Sequence, residues 1–79
     1  MSDASYRPIS CGLHSEYELL AMRCAPVTVH YRDETGAGHR FRGRIVDLLT
    51  RDGAEFMRLE SERGTLEVRL DRIVRLRGP

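Results

Sequence analysis

From Val27 onward, apolar side chains return at every second position for a few residues, stop at a turn, and begin again. That rhythm belongs to short strands with one face buried, and it leaves little else for the second half of the chain to become. Val27, Val29 and Tyr31 alternate with Thr28, His30 and Arg32. Residues 33–38 are rich in charge and glycine and read as a turn. A longer strand follows over 39–49, with Phe41, Gly43 and Ile45 on one face and Arg40, Arg42 and Arg44 on the other. Its phase then breaks, because Ile45 and Val46 are both apolar, and so are Leu48 and Leu49. A bulge or sharp bend accounts for such a break, and Gly43 eases it. Arg51-Asp52-Gly53 has a hairpin signature. Residues 55–60 give a third strand with Met57 and Leu59 inward, 61–64 turn, Leu66, Val68 and Leu70 alternate with Glu67 and Arg69, and 73–76 form a last strand.

Ahead of the strands the period changes. Ser15-Glu16-Tyr17-Glu18 has the form of a capping box, and Tyr17, Leu20, Ala21 and Cys24 recur at helical spacing. The spacing predicts a helix over 15–24, ended by Pro26, which bars Ala25 from the helical region. Residues 1–13, with Pro8, Ser10 and Gly12, read as an extended arm. One short N-terminal α-helix before five short, bent strands over 26–77 is the pattern of a mainly β, SH3-like or Sm-like barrel, and the leading helix favours the Sm-like form. The helix stripe is placed to cap one open end. All 79 residues make one domain.

A core this thin leaves no room for a deep pocket, which favours a binding module over an enzyme. With 41% hydrophobic and 32% charged residues the chain is globular, not disordered. No apolar run approaches a membrane span, and the first five residues lack a basic flank before an apolar stretch. A cytoplasmic protein with no membrane association is expected. Net charge is +1, so no global field calls for nucleic acid. All 13 basic residues are arginine, which a coding bias explains more readily than functional selection of the guanidinium does. Cys11 and Cys24 are not expected to pair in a reducing cytosol. Cys11 and His14 have a Cys-x-x-His spacing without a second close pair, so neither a structural metal nor another cofactor is expected, and buried free thiols are the plainer reading.

Catalytic patterns are absent from the sequence. Glu16 and Glu18 diverge on a helix, Gly36-Ala37-Gly38 opens no helix, and nothing groups a serine or histidine with a buried acid. One feature could meet a polyanion. Arg40, Arg42 and Arg44 would repeat on one strand face at about 6.5–7 Å, which suits successive phosphates. Against it, they could pair with Glu60 or Glu67, and no aromatics interleave to stack bases.

Tyr6-Arg7-Pro8-Ile9-Ser10-Cys11 resembles the opening motif of the Rho-binding antiterminators, the Rof (YaeO) proteins. The likeness resumes at Asp47-Leu48-Leu49-Thr50-Arg51, continues through Glu55-Phe56 and ends in Glu67-Val68-Arg69-Leu70-Asp71-Arg72-Ile73, at matching intervals over about residues 6 to 76. The family fold is an Sm-like barrel behind an N-terminal helix. The resemblance implies a non-enzymatic inhibitor of Rho-dependent transcription termination, docking on the N-terminal domain of the Rho helicase and excluding RNA from its primary site. Carried onto this chain, the Rho-binding residues would be His14, Ser15 and Glu18 at the helix start and Arg51 and Asp52 in the turn between the second and third strands. Glu18 would oppose a basic residue of Rho, and Arg51 an acidic or carbonyl partner. RNA would enter only as the competitor. The chain departs from its relatives after the cysteine, where they carry a run of aspartates and it reads Gly12-Leu13-His14-Ser15, and in being +1 where they are acidic. The alternative is a stand-alone Sm-like RNA-binding module using Arg40, Arg42, Arg44 and the C-terminal arginines. A structural subunit of a larger assembly is a third reading.

Overall fold

The computed structural model describes residues 7–78. Tyr6, which opens the first block of the resemblance, and the first six positions of the expected arm lie outside the described residues.

Helix α1 spans Cys11–Arg23. It therefore begins at Cys11 and not at Ser15, and takes in the end of the segment expected to be an extended arm. The cause is an earlier cap. Ser10 adopts extended backbone at φ −66°, ψ 153°, and its hydroxyl accepts the Leu13 amide at 3.1 Å. Once that free N–H is satisfied nothing between Ser10 and Ser15 bars helical backbone. Ser15 then lies inside the helix, and the expected capping box with Glu18 does not form. At the other end Cys24 takes left-handed backbone, φ 52° and ψ 34°, and its amide reaches the Ala21 carbonyl at 3.1 Å. That conformation takes Cys24 out of helical phase, so its side chain is exposed and not part of the buried stripe. Cys11 is exposed as well, so the expectation of buried thiols fails for both. Tyr17 is the buried residue of α1, and Leu20 and Ala21 pack beside it half-buried.

Five antiparallel strands follow: β1 Pro26–Arg32, β2 Gly38–Arg51, β3 Ala54–Ser61, β4 Gly64–Arg69 and β5 Ile73–Arg77. They form one sheet in the order β4-β3-β2-β1-β5. This is the mainly β, helix-first, five-stranded architecture that the alternation predicts. The ladders leave the ring open: β4 and β5 are joined by a 3-10 turn, Leu70–Arg72, and not by hydrogen-bonded pairing among the described residues.

Bending comes from two places in β2. Register shifts between Ile45 and Asp47, where Val46 is squeezed outward to 45% exposure, as the broken phase predicts. Two residues earlier, Gly43 lies so close to the β3 backbone that a Cβ would collide with the Glu60 carbonyl oxygen and approach a Phe41 ring carbon at 2.9 Å. The β2–β3 hairpin turns at Asp52 (φ 53°) and Gly53 (φ 78°), the pair of positive φ angles that a tight two-residue hairpin needs.

The core is Tyr17, Val27, Val29, Ile45, Met57, Leu59, Val68 and Leu70. Phe41 and Leu66, expected inside, pack against it only half-buried. Leu70, supplied by the 3-10 turn, is 1% exposed. It completes the alternation of Leu66 and Val68 after the strand itself has ended.

Candidate functional site

The side chains singled out by the resemblance fall on two elements, α1 and the β2–β3 hairpin. On α1, His14 and Glu18 stand one turn apart, and His14 Nδ1 lies 3.7 Å from Glu18 Oε2. The other ring nitrogen of His14 lies 3.6 Å from Glu55 Oε1 on β3. His14 thus sits between two carboxylates, one from each element. A shallow groove runs past them, lined by Leu48, Leu49, Thr50, Phe56 and Leu70. Glu18 keeps 57% of its side chain exposed. Ser15 is exposed on the same helix.

Arg51 looks elsewhere. Residues directly opposite in an antiparallel pair share a face, and Thr50 opposes Glu55 while Arg51 opposes Ala54. Arg51 therefore leaves the hairpin on the face opposite to Thr50 and Glu55. It donates to Glu67 at 2.6 Å, and its guanidinium carbon lies 4.8 Å from the centre of the Phe56 ring. Glu67 also accepts from Arg58, at 2.8 Å. Hydrogen bonds from Arg51 and Arg58 hold the Glu67 carboxyl below the usual range, and Glu67 in turn raises the Arg58 guanidinium. Asp52 is exposed at the tip of the turn. The structure brings His14 and Glu18 together, with Ser15 beside them, and sets Arg51 and Asp52 at the neighbouring hairpin end with Arg51 already engaged.

Of the residues that tie these side chains down, sequence reasoning assigned no role to Glu55 or Phe56 and gave Glu67 only as a possible partner of the β2 arginines. A signal was present, since all three lie in the blocks that carry the resemblance. A second anchor lies in the last block. Arg69 grips Asp71 through two bonds of 2.8 Å, and Asp71 also accepts the Arg7 amide at 3.0 Å, tying the segment before α1 to the 3-10 turn. Burial pushes the Asp71 carboxyl up, but the Arg69 and Arg7 hydrogen bonds outweigh it and leave it below the usual range.

Arg40, Arg42 and Arg44 are exposed on the outer face of β2. Of the two acids expected to neutralise them, Glu67 is taken by Arg51 and Arg58, while Glu60 stands opposite Arg44. Among the described residues no group of three or more His, Cys, Asp or Glu gathers to hold a metal, and no helix is long and apolar enough to cross a membrane.

No family model matches the chain, and no solved structure matches it. It is similar to "Protein rof" of Escherichia coli (strain K12), 28% identical over 75 residues that cover 95% of this chain and 84% of that protein. The "Protein rof" of Shigella flexneri matches with the same identity and coverage. A similarity that spans nearly the whole chain supports a relationship to the Rof proteins.

Proposed function

We propose that the chain is a Rof-type Rho-binding antiterminator: a cytoplasmic, non-enzymatic protein that docks on the N-terminal domain of Rho and keeps RNA from its primary site. The observation that carries this reading is the convergence of Glu18 and Glu55 on His14, beside Leu48, Leu49 and Phe56. An exposed carboxylate next to half-buried apolar side chains suits a partner surface that otherwise holds RNA phosphates. Charge sets the choice of partner, and the apolar groove supplies area to bury. Similarity to Protein rof over most of the chain supports the same reading. His14, Ser15 and Glu18 would form the contact on the helix. Arg51 and Asp52 would extend it at the hairpin end, with Arg51 held in place by Glu67 and Phe56.

The test is binding of the purified chain to purified Rho, with and without a C-rich RNA competitor. Binding that RNA displaces, together with restored read-through at a Rho-dependent terminator, is the expected result. Failure to bind Rho in the absence of RNA would overturn the proposal.

A further inference from the structure

The outer face of β1, β2 and β5 carries a grid of arginines that the α1–hairpin groove does not use. On β1, Val27 and Val29 are buried, so Thr28 and His30 point outward. His30 is opposite Arg40 on β2 and Arg75 on β5. Thr28 is opposite Arg42 on β2 and Arg77 on β5. The result is two parallel rows, Arg40–His30–Arg75 and Arg42–Thr28–Arg77. The strands are about 4.8 Å apart and the rows about 6.5–7 Å apart. All four arginines are exposed.

Among the described residues no acid forms an ion pair with them. The acids of the described residues that form ion pairs spend them elsewhere: Asp33 on His39, Glu67 on Arg51 and Arg58, Asp71 on Arg69, and Glu18 and Glu55 on His14. Among the described residues, none of the four guanidinium groups has an ion pair or hydrogen bond. No acid stands in either row. The nearest by register is Glu60, opposite Arg44, so the third arginine of the β2 series is offset where the other two are not. Beyond Arg42 the rows open into a groove that Arg63 lines from the β3–β4 turn, with Glu62 beside it.

We infer that this face binds the backbone of an extended single-stranded RNA. Four planar guanidinium groups, each able to grip a phosphate through two N–H donors, stand at the row spacing that suits successive phosphates of one strand. The His30 ring at the centre offers one base a surface to stack on. An anionic membrane would meet the same charge, but of the exposed large apolar side chains of the described residues Val74 alone lines the groove beside Arg75, too little apolar surface to enter lipid. The inference does not depend on Rho binding, because the grid and the α1–hairpin groove share no residue. The chain would hold RNA on one surface while the groove remains open to a protein.

Fluorescence anisotropy with a labelled single-stranded RNA of about ten nucleotides, titrated between about 50 and 200 mM salt, tests it. Binding that weakens with salt is expected, and Arg42→Ala or Arg75→Ala should each lower the slope of log affinity against log salt by about 0.7. Arg42→Ala combined with Arg75→Ala should weaken RNA binding about tenfold while Rho binding persists. His30→Ala should weaken RNA binding but leave binding of inorganic polyphosphate unchanged. Glu18→Gln should do the converse of the arginine variants, so loss of one activity does not imply loss of the other. Circular dichroism checks each fold, and Arg40→Ala and Arg77→Ala carry the same test if the double variant unfolds. No salt-dependent RNA binding, wild-type RNA affinity in the arginine variants, or capture by phosphatidylserine vesicles without RNA binding would each overturn the inference.

Discussion

At the scale of single residues, the chain shows how differently two carboxylates can be used. Glu67 is held by Arg51 and Arg58 through three hydrogen bonds within the chain itself. Among the described residues Glu18 pairs with the His14 ring, from 3.7 Å, and more than half of its side chain faces solvent. Glu18 is therefore the residue to change. Glu18→Gln removes its charge, keeps its size and breaks no bond shorter than hydrogen-bond length. The expected outcome is a loss of Rho affinity of about tenfold, at the scale of an interface charge pair, with an unchanged melting temperature, read by calorimetric titration and thermal denaturation. Asp71→Asn probes stability instead. It weakens the two-point contact with Arg69, and a cost of about 1.5–3 kcal/mol is expected in denaturant unfolding, the range for a hydrogen bond to a charged group. The resemblance named Glu18 and Arg51 as partner-facing and carried Glu67 and Asp71 in its blocks with no role, so it did not show that Arg51 is held by the chain's own Glu67. That contact is legible only with strand register, because whether Arg51 shares a face with Glu55 or Ala54 depends on a one-residue count set by the turn.

Elements bring a different lesson. The strands were legible because burial on one face imposes a period of two, and Val27, Val29, Met57, Leu59 and Val68 all lie inside as that period requires. The bulge at Val46 was legible for the same reason. The helix start was not, since Ser10 and Ser15 offer equally good caps and the choice rests on which hydroxyl meets a free amide. Tyr17 serves either boundary. It is 4% exposed and anchors α1 to the sheet, and burial, then the nearby Glu16 charge, raises its hydroxyl pKa. Tyr17→Ala should cost about 3–5 kcal/mol and release the helix, seen as lost ellipticity at the helix band before the sheet melts. Leu20→Ala, at a half-buried site, should cost less. Gly43→Ala is the sharper test of the bend, because the added methyl meets backbone on β3 and cannot be accommodated by a side-chain rotation. Destabilisation of at least about 1–3 kcal/mol is expected by chemical denaturation.

At the scale of the whole molecule, three carboxyls among the described residues lie below their ordinary range. Asp33 is held low first by the Thr35 hydroxyl and then by His39, Glu67 by its two arginines, and Asp71 by Arg69 and the Arg7 amide against the effect of burial. Each adds stability that is fully present above the unfolded carboxylate value, near pH 4, and is lost as pH falls through its lower folded value. Melting temperature should therefore be flat above about pH 5 and decline below about pH 4, and Asp71→Asn should make that decline shallower. The sequence pattern alone, with charges counted along the chain, shows a mildly basic tail. Only the sheet order brings Arg75 and Arg77 beside Arg40 and Arg42, because β5 returns to pair with β1. The open order of the sheet has one more consequence, for crowded solutions. Among the described residues, β4 and β5 each present a row of backbone donors and acceptors with no neighbouring strand, the arrangement on which another chain could add itself. Arg75 and Arg77 on β5 put positive charge along one such edge, and like charge keeps two copies from approaching there in dilute salt. Concentrated salt weakens that repulsion and leaves the backbone groups in place, so it is in brine, not in acid, that these molecules should begin to join edge to edge.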